Sequence, residues 1–414
     1  METKDRLIKD SLILFAASSA VNLANFVFHM GATRSLGPEL YGSLAALLGL
    51  VVIFAMPSLA LQVTVTKKTS VFMANDCPGA VEYLFKRSLK WFFAAGLALF
   101  IFFFVFKDFF SSRLQIGDPW AVVVLGLIAI AAMLVPLVRG ILQGMQKFYS
   151  FGLNLFADAF VRLSALGIVI YLGMKLKGVL FTSFIASMTA FLIGVFMIRE
   201  IFKQSEKPVN VITKREFLKY ALPVFLSMTG FSLLSFMDLF MVKYFFPPEQ
   251  AGFYAVTSVI GKAFLYFPSA IVMALFPKVS AAHALNQDTK KLFYKSLWLT
   301  GAISFAGIIF CYFFPEFVIK LLAGGQYLEI AGIVKIFGFA ILPLVLFNVL
   351  INYSLAVHNY FFIGVMYAGI AMYAGAIYFF HDSFTQVIFV LFAVSSLILA
   401  VSVAGLEMTG RMKK

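Results

Sequence analysis

The sequence predicts an all-α membrane protein with twelve transmembrane helices arranged as two parallel six-helix repeats. Three observations predict this class: the composition, the spacing of long apolar runs and an internal repeat. Hydrophobic residues make up 62% of the 414 positions and charged residues only 13%, against about a quarter charged in soluble domains. This composition excludes an ordinary water-soluble enzyme and a disordered chain.

Twelve apolar runs are long enough to cross a bilayer as helices, which takes about 20 residues. The runs lack the alternation of barrel strands, so helices are the spanning structure that fits. The N-terminal METKDRLIKD precedes a run that is interpreted as a membrane helix rather than a signal peptide. The predicted spans are 11–32, 43–66, 89–110, 120–141, 151–173, 178–199, 218–244, 252–276, 293–314, 331–354, 361–379 and 385–405.

The distribution of basic residues predicts that both termini are cytoplasmic. With this orientation, the cytoplasmic segments hold 23 Lys and Arg residues and the opposite side holds 8. Cytoplasmic loops are the ones that collect basic residues. The net charge of +14 therefore follows from topology, and no nucleic-acid partner is expected.

An internal repeat divides the chain into two halves. LGPELYGSLAA at 36–46 resembles FPPEQAGFYAV at 246–256, and GMQKF at 144–148 is a weaker match to AVHNY at 356–360. Six crossings return the chain to its starting side, so the halves are predicted to be parallel repeats related by an axis along the membrane normal.

The polar stretch KQSEKPVNVITKRE is the predicted boundary between the halves. We predict an N-terminal six-helix lobe over 1–202, a cytoplasmic linker over 203–216 and a C-terminal six-helix lobe over 217–414.

Ionisable residues inside the apolar runs are the candidates for function, because each costs about 2.5–3.5 kcal/mol in mid-bilayer. Asn154, Asp158 and Arg162 form one stripe at i, i+4 spacing on the fifth span. Asp238 and Lys262 lie at matched depth on consecutive spans. Each charged pair has two interpretations: a neutral structural bridge, or a cavity-lining pair that opens toward a substrate or a coupling cation.

The first span carries a second polar face, formed by Ser18, Asn22, Asn25 and His29. Such residues either hold helices together by hydrogen bonds or line a polar cavity. His29 titrates near neutral pH when unperturbed, but a lone histidine is more often a structural hydrogen-bonding residue.

No motif in the sequence predicts catalysis. There is no P-loop, GxSxG or HExxH, and the two cysteines, Cys77 and Cys311, lie in different environments that favour neither a disulfide nor a metal site. We therefore expect a protein that is not an enzyme and holds no cofactor or metal. A coupling ion, H⁺ or Na⁺, is the one species expected to play a comparable part.

The segment RSLGPELYGSLAALLGLVVIFAMPSLALQVTVTKK (34–68) resembles the polysaccharide (oligosaccharide) flippases of the multidrug/oligosaccharidyl-lipid/polysaccharide superfamily. FMDLFMVKYFFPPEQAGFYAV (236–256) begins the second half alike, and FPKVS (276–280) resembles the signature that closes the eighth span. The resemblance implies a V-shaped, two-lobe transporter of the cell membrane. Such a protein carries a lipid-diphosphate-linked oligosaccharide from the cytoplasmic to the outer leaflet by alternating access.

The resemblance also implies roles for particular residues. Arg162 and Lys262 become the candidate cavity cations, and Arg34 supplies charge at the outer mouth. Asp158 and Asp238 are the candidate ion-coupling residues. The full candidate substrate-binding set is Arg162, Lys262, Arg34, Asn22, Asn25, His29 and Asn154. Expected partners are the lipid-linked oligosaccharide, membrane lipids and glycan-assembly proteins.

Two alternatives stay open from the sequence. One is a cation-coupled exporter of small organic cations on the same superfamily fold, with Asp158 or Asp238 as the coupling carboxylate. The other is a membrane-embedded glycan-assembly enzyme or scaffold, which needs chemistry on a loop that these short loops do not offer.

Overall fold

The computed structural model describes residues 2–75, 77–203, 214–266 and 287–408, with isolated positions at 268, 275, 279 and 282. Every regular element in these ranges is an α-helix or a 3₁₀-helix, which confirms the predicted all-helical class. The chain forms two compact units, Met1–Phe225 (unit 1) and Leu226–Lys414 (unit 2). The division falls inside a helix, C-terminal to the predicted linker, most of which lies outside the described residues. The lobe boundaries of the sequence analysis stay a prediction.

The first helix, α1 (Glu2–Ala74), contains two of the predicted spans and changes direction at Gly37. Gly37 has φ 72° and ψ 175°, a backbone conformation that glycine adopts without the clash of a Cβ atom. Pro38 follows, and proline suits the first position of a helix because it needs no amide hydrogen there. The outer loop predicted between 32 and 43 is thus reduced to a single residue.

Unit 1 continues from α1 with five further helices and a short 3₁₀ turn. The helices are α2 (Pro78–Val105), α3 (Lys107–Arg113), α4 (Trp120–Gly144), α5 (Phe148–Tyr171) and α6 (Leu176–Met197), and the turn is Arg199–Lys203. α2 starts well before the predicted 89, because the basic segment at its N-terminus continues the helix although it lowers the hydropathy. The short α3 was not predicted.

Unit 2 repeats this order. Its helices are α7 (Lys214–Phe245), α8 (Pro248–Tyr266), α9 (Lys290–Phe313), α10 (Pro315–Leu322), α11 (Ala331–Ala356), α12 (Phe361–Phe379) and α13 (Phe384–Met408), and a 3₁₀ turn lies at Gly325–Ile330. The first turns of α7 fall within the range of unit 1. The short α10 occupies the place that α3 has in unit 1.

Within the described ranges, ten helices are long and apolar enough to cross a membrane. One of them is α1, which supplies two crossings, and α8 begins a further predicted span that continues past the described residues. The layout therefore agrees with twelve crossings in two sets of six.

The internal repeat is visible in the backbone. Gln146 and His358, which the sequence alignment pairs, both adopt left-handed conformations, with φ 57° and 56°. The amide of Lys147 bonds the carbonyl of Leu142, and the amide of Asn359 bonds that of Ser354. This is the six-to-one hydrogen bond of a Schellman helix terminus, formed at equivalent positions after α4 and α11.

The most buried helix of each unit lies at its centre. α4 packs against α1, α2 and α6, and α11 packs against α8, α9 and α13. By contrast, α2 exposes Phe93, Leu97, Ile101 and Phe104 at spacings of three and four residues, which place them on one face. This pattern is typical of a helix that faces lipid on one side and protein on the other.

The contact between α1 and α4 depends on two small residues, Gly140 and Gly144, in a GxxxG spacing that allows helices to approach closely. A Cβ atom on Gly144 would lie 2.5 Å from the Cβ of Thr69 and 2.6 Å from the carbonyl oxygen of Thr66. Hydrogen bonds cross the same contact, since Gln62 Nε2 donates to Gln143 Oε1 over 2.9 Å. Close packing and polar contacts therefore hold α1 and α4 together.

We expect Gly144→Ala to lower the melting midpoint of the purified protein in detergent, because the new methyl group meets a backbone carbonyl that cannot move aside. Overpacking of this kind costs about 1–3 kcal/mol. The matched control is Gly167→Ala in α5, where a Cβ atom meets nothing within 4 Å and alanine is the better helix former. Equal midpoints for the two variants would contradict the close approach of α1 and α4.

Candidate functional site

The polar stripe predicted on the fifth span lies on α5, and its centre is Asp158. Arg139 NH2 on α4 donates to Asp158 Oδ2 over 2.9 Å. Arg162 NH2, one turn along α5, lies 3.5 Å from Asp158 Oδ1. One carboxylate is thus shared by two guanidinium groups, and the shorter contact belongs to Arg139.

Asn154 completes the contact between α4 and α5. Its side-chain oxygen accepts a hydrogen bond from Arg139 Nε over 2.9 Å, and its Nδ2 donates to the carbonyl of Ala190 on α6 over 2.6 Å. Asn154 is fully buried. It therefore orients Arg139 toward Asp158 and ties three helices together, a structural role within the candidate set.

Arg162 is held more loosely than Arg139. Its NH1 donates to Asn25 Oδ1 on α1 over 3.2 Å, and its guanidinium carbon lies 5.9 Å from the centre of the Phe28 ring. About a quarter of the Arg162 side chain is exposed, against 16% for Arg139. Of the two arginines, Arg162 thus has the longer contact with Asp158 and the more exposed side chain.

Arg139 was missed as a site residue by the sequence analysis, which placed it in a cytoplasmic segment. It lies inside α4, which runs to Gly144, five residues farther on. Its position near the end of a predicted span concealed its depth, and hydropathy alone cannot show that an arginine turns inward. Without Arg139, the cytoplasmic segments hold 22 Lys and Arg residues against 8 on the opposite side. The predicted orientation is therefore unaffected.

His29 lies on the same helix as Asn25, one turn away. Its Nδ1 is 3.0 Å from the hydroxyl of the fully buried Tyr41, and the two rings meet edge to face. The contact joins the two arms of α1 across the break at Gly37. This geometry matches the structural interpretation of His29 that the sequence analysis left open.

Two other members of the predicted set lie on the exposed surface of α1. Asn22 is exposed, one turn before Asn25 on α1, and Arg34 is exposed close to the break at Gly37. The structure therefore brings together Asn25, Asn154, Asp158 and Arg162 and adds Arg139 to them. The roles proposed for Asn22 and Arg34 stay predictions.

In unit 2, Asp238 and Lys262 form the contact that their matched depth made possible. Lys262 Nζ lies 2.9 Å from Asp238 Oδ1. The other carboxylate oxygen accepts from the Tyr254 hydroxyl at 3.2 Å and from the Ser258 hydroxyl at 3.4 Å. Asp238 has no exposed surface and the Lys262 side chain only 9%.

The two clusters differ in charge and access. The cluster in unit 1 carries two guanidinium groups on one carboxylate, an excess of one positive charge, and part of it is exposed. The cluster in unit 2 is a one-to-one pair that is enclosed by protein. Among the residues that the structure describes, no group of His, Cys, Asp and Glu has the arrangement of a metal site.

Comparison with protein families identifies the chain's relatives. A family model described as "Polysaccharide biosynthesis protein" matches residues 7–283, which agrees with the resemblance found in the sequence. An uncharacterized membrane protein of Methanocaldococcus jannaschii is 25% identical over 204 residues. That match covers 46% of this chain and 48% of the relative, so the chain spans about half the length of this curated relative.

Solved structures share the fold. An inward-facing multidrug resistance MATE family transporter of the MOP superfamily aligns with a TM-score of 0.82 at 13% identity, over 97% of this chain and 99% of that one. A eukaryotic MATE transporter, AtDTX14, aligns with a TM-score of 0.68 at 13% identity, over 96% and 95% of the two chains. The chain therefore has the MATE-like fold of this superfamily.

We expect Lys262→Met to destabilise the protein by about 3–5 kcal/mol, because it leaves the enclosed Asp238 carboxylate without its counter-ion. Thermal unfolding in detergent measures the change. The double variant Asp238→Asn/Lys262→Met should recover most of the loss, since asparagine is neutral and still accepts from Tyr254 and Ser258. A double variant as unstable as the single one would contradict the ion-pair interpretation.

Proposed function

The chain belongs to the polysaccharide biosynthesis protein family, and from this premise we propose that it is a flippase for a lipid-diphosphate-linked oligosaccharide. It moves the head group from the cytoplasmic to the outer leaflet of the cell membrane by alternating access. A transporter of this kind performs no bond chemistry, in keeping with a sequence that offers no catalytic motif. Glycan-assembly proteins are its proposed partners.

The observation that carries this proposal is the excess positive charge around Asp158. A diphosphate cannot enter hydrocarbon unaided, because a buried ion without a partner is costly. A guanidinium group inside the membrane repays part of that cost through charge-assisted hydrogen bonds, which can be bidentate to phosphate. Two arginines on one aspartate supply this charge within unit 1.

Arg162 is the proposed diphosphate ligand. Its contact with Asp158 is long, at 3.5 Å, and Arg139 keeps the same carboxylate paired when Arg162 turns away. When Arg162 binds an anion, Asp158 therefore keeps its ion pair with Arg139 through Oδ2. Asn25, which bonds Arg162 at rest, is placed to bond a sugar or phosphate oxygen in exchange.

The remaining candidates have supporting roles in the proposal. Lys262 is a second cation that becomes available when it separates from Asp238. Arg34 attracts the head group at the predicted outer side, close to the break of α1 at Gly37. Asn22 and His29 extend the polar face of α1, and Asn154 fixes Arg139. Membrane lipids surround the carrier chain.

Coupling to an ion gradient is proposed for the two in-span carboxylates. Asp158 and Asp238 are the groups that can release an internal cation and accept H⁺ or Na⁺ in its place. Exchange at Asp238 requires Lys262 to lose its 2.9 Å contact, so coupling there is tied to movement between α7 and α8.

A second candidate function is a cation-coupled exporter of organic cations. The same two carboxylates favour it, because an organic cation would pair with Asp158 or Asp238. The excess of arginine over aspartate in unit 1 opposes it, since the local field there repels a cation. The flippase is therefore the better supported function.

We expect Arg162→Ala to reduce translocation by about tenfold or more, the effect of losing one charge-assisted hydrogen bond to phosphate. The assay uses proteoliposomes that contain a lipid-diphosphate oligosaccharide, whose appearance in the outer leaflet is probed with an added glycosidase. Arg162→Lys should retain part of the activity, because it keeps the charge but loses the planar guanidinium.

The control is Arg113→Ala, which removes a cation from the end of α3 and should leave the rate unchanged. Full activity of Arg162→Ala would remove Arg162 from substrate binding. Uptake of a fluorescent organic cation by the wild-type protein, without movement of the glycolipid, would support the exporter.

We expect Asp238→Asn to change the dependence of transport on an imposed Na⁺ or pH gradient. The neutral amide still accepts hydrogen bonds but cannot balance a coupling cation. Because Asp238→Asn also leaves Lys262 without its counter-ion, rates are normalised to the fraction of each variant that is folded by thermal unfolding. Rates are compared with and without each gradient, in parallel with Asp158→Asn. A gradient response that matches the wild type in both variants would remove these carboxylates from coupling.

A further inference from the structure

A basic surface lies where α1 ends and α2 begins, at the predicted cytoplasmic end of unit 1. It contains five cations within 24 residues of sequence, most of them exposed. We call it the basic patch, and its residues are Lys67, Lys68, Lys86, Arg87 and Lys90. None of them takes part in the Asp158 cluster.

The charge of the basic patch is only partly balanced. Glu82 pairs with Lys86 on α2 at 2.5 Å, and this pair is neutral. Lys68 near the end of α1 and Arg87 near the start of α2 lie on helices that contact each other. Among the residues that the structure describes, which do not include the neighbouring Asp76, no carboxylate pairs with Lys68, Arg87 or Lys90. Two helices thus hold like charges together, which favours an anion between them.

Aromatic side chains set the depth of the basic patch. Tyr83, Arg87 and Trp91 succeed one another at i, i+4 spacing on one face of α2, and Arg87 NH1 donates to the Tyr83 hydroxyl over 3.3 Å. Trp91 is 71% exposed. Exposed tryptophan and tyrosine are typical of the level of the lipid head groups, so the adjoining cations lie where lipid phosphates lie.

We propose that the basic patch binds the phosphate head group of an anionic membrane lipid, with Lys68 and Arg87 as the paired ligands. Clusters of Lys and Arg beside a membrane helix attract anionic lipids, and here the two ligands come from different helices. A bound phosphate removes the repulsion between them and so stabilises the contact of α1 with α2. The inference does not depend on the solute that the protein carries.

Trp91 provides a local probe of this site. In the full-length variant Trp120→Phe/Trp298→Phe, Trp91 is the remaining tryptophan. The variant is reconstituted in phosphatidylcholine with a small fraction of phosphatidylglycerol whose acyl chains are brominated. We expect quenching of Trp91 well above that given by the same fraction of brominated phosphatidylcholine, and the excess should decrease as salt is added.

Lys68→Gln/Arg87→Gln should lower the preference for phosphatidylglycerol over phosphatidylcholine by about fivefold for each charge removed. The matched control is Lys107→Gln/Arg113→Gln, which removes two cations from α3 in the same unit and should leave the quenching unchanged. Thermal unfolding in phosphatidylcholine alone shows whether each variant is folded. A second readout, the rise in melting midpoint on adding phosphatidylglycerol, should be lost only in the Lys68/Arg87 variant.

Three results would overturn the proposal. Equal quenching by the two lipids would mean that the basic patch serves only to orient the chain in the membrane. Equal effects of the two double variants would mean that net charge, not the patch, attracts the lipid. Relief of quenching by millimolar glycerol phosphate would mean that a soluble anion, not a lipid, is the ligand.

Discussion

The sharing of Asp158 between Arg139 and Arg162 is the interaction on which the interpretation of this protein depends. A single aspartate and a single arginine in a membrane helix would neutralise each other and need no further explanation. Arg139, as a second arginine on the same aspartate, changes this balance. Because Arg139 bonds one oxygen of the carboxylate at 2.9 Å and is itself fixed by Asn154, Arg162 gives the cluster one more positive charge than the single carboxylate balances. A charge kept in hydrocarbon without a structural need is a sign of function.

The same reasoning separates the two units. In unit 2, Lys262 pairs with one oxygen of the Asp238 carboxylate. The hydroxyls of Tyr254 and Ser258 donate hydrogen bonds to the other oxygen. That cluster has no excess charge and almost no exposed surface. Each unit thus holds a charged cluster, but the two clusters lie on helices that the repeat does not pair, α4 and α5 in unit 1 and α7 and α8 in unit 2. Binding and coupling, if divided between the units, follow this difference in charge.

Most of the fold could be predicted from the sequence, because the cost of unsatisfied backbone groups in lipid leaves long apolar runs little choice but to form helices. The repeat could be predicted as well, from Pro38 and Pro248 and the segments around them. Helix ends were less predictable. Hydropathy placed the start of α2 too late, because Lys86, Arg87 and Lys90 are polar yet helical, and it gave Gly37 a whole loop where the chain turns in one residue.

The sequence could predict where each site residue lies along its own helix, but not which side chains of neighbouring helices it contacts. Spacing of four residues placed Asn154, Asp158 and Arg162 on one face, and matched depth related Asp238 to Lys262. Arg139 could not be found this way, because its partners lie on another helix and its own position, near the end of a span, is where arginines commonly reach toward water. Contacts between helices depend on rotation and tilt, which apolar run lengths do not specify.

The left-handed residues after α4 and α11 show that two segments with little sequence in common can take the same backbone path. Gln146 and His358 have different side chains, and the segments around them are barely alike, yet both residues adopt a left-handed conformation and both helix ends close the same six-to-one hydrogen bond. Backbone geometry is therefore shared at this point of the repeat where the side chains are not. The two units can therefore differ in the chemistry of their interiors while the path of the chain at these two helix ends stays the same.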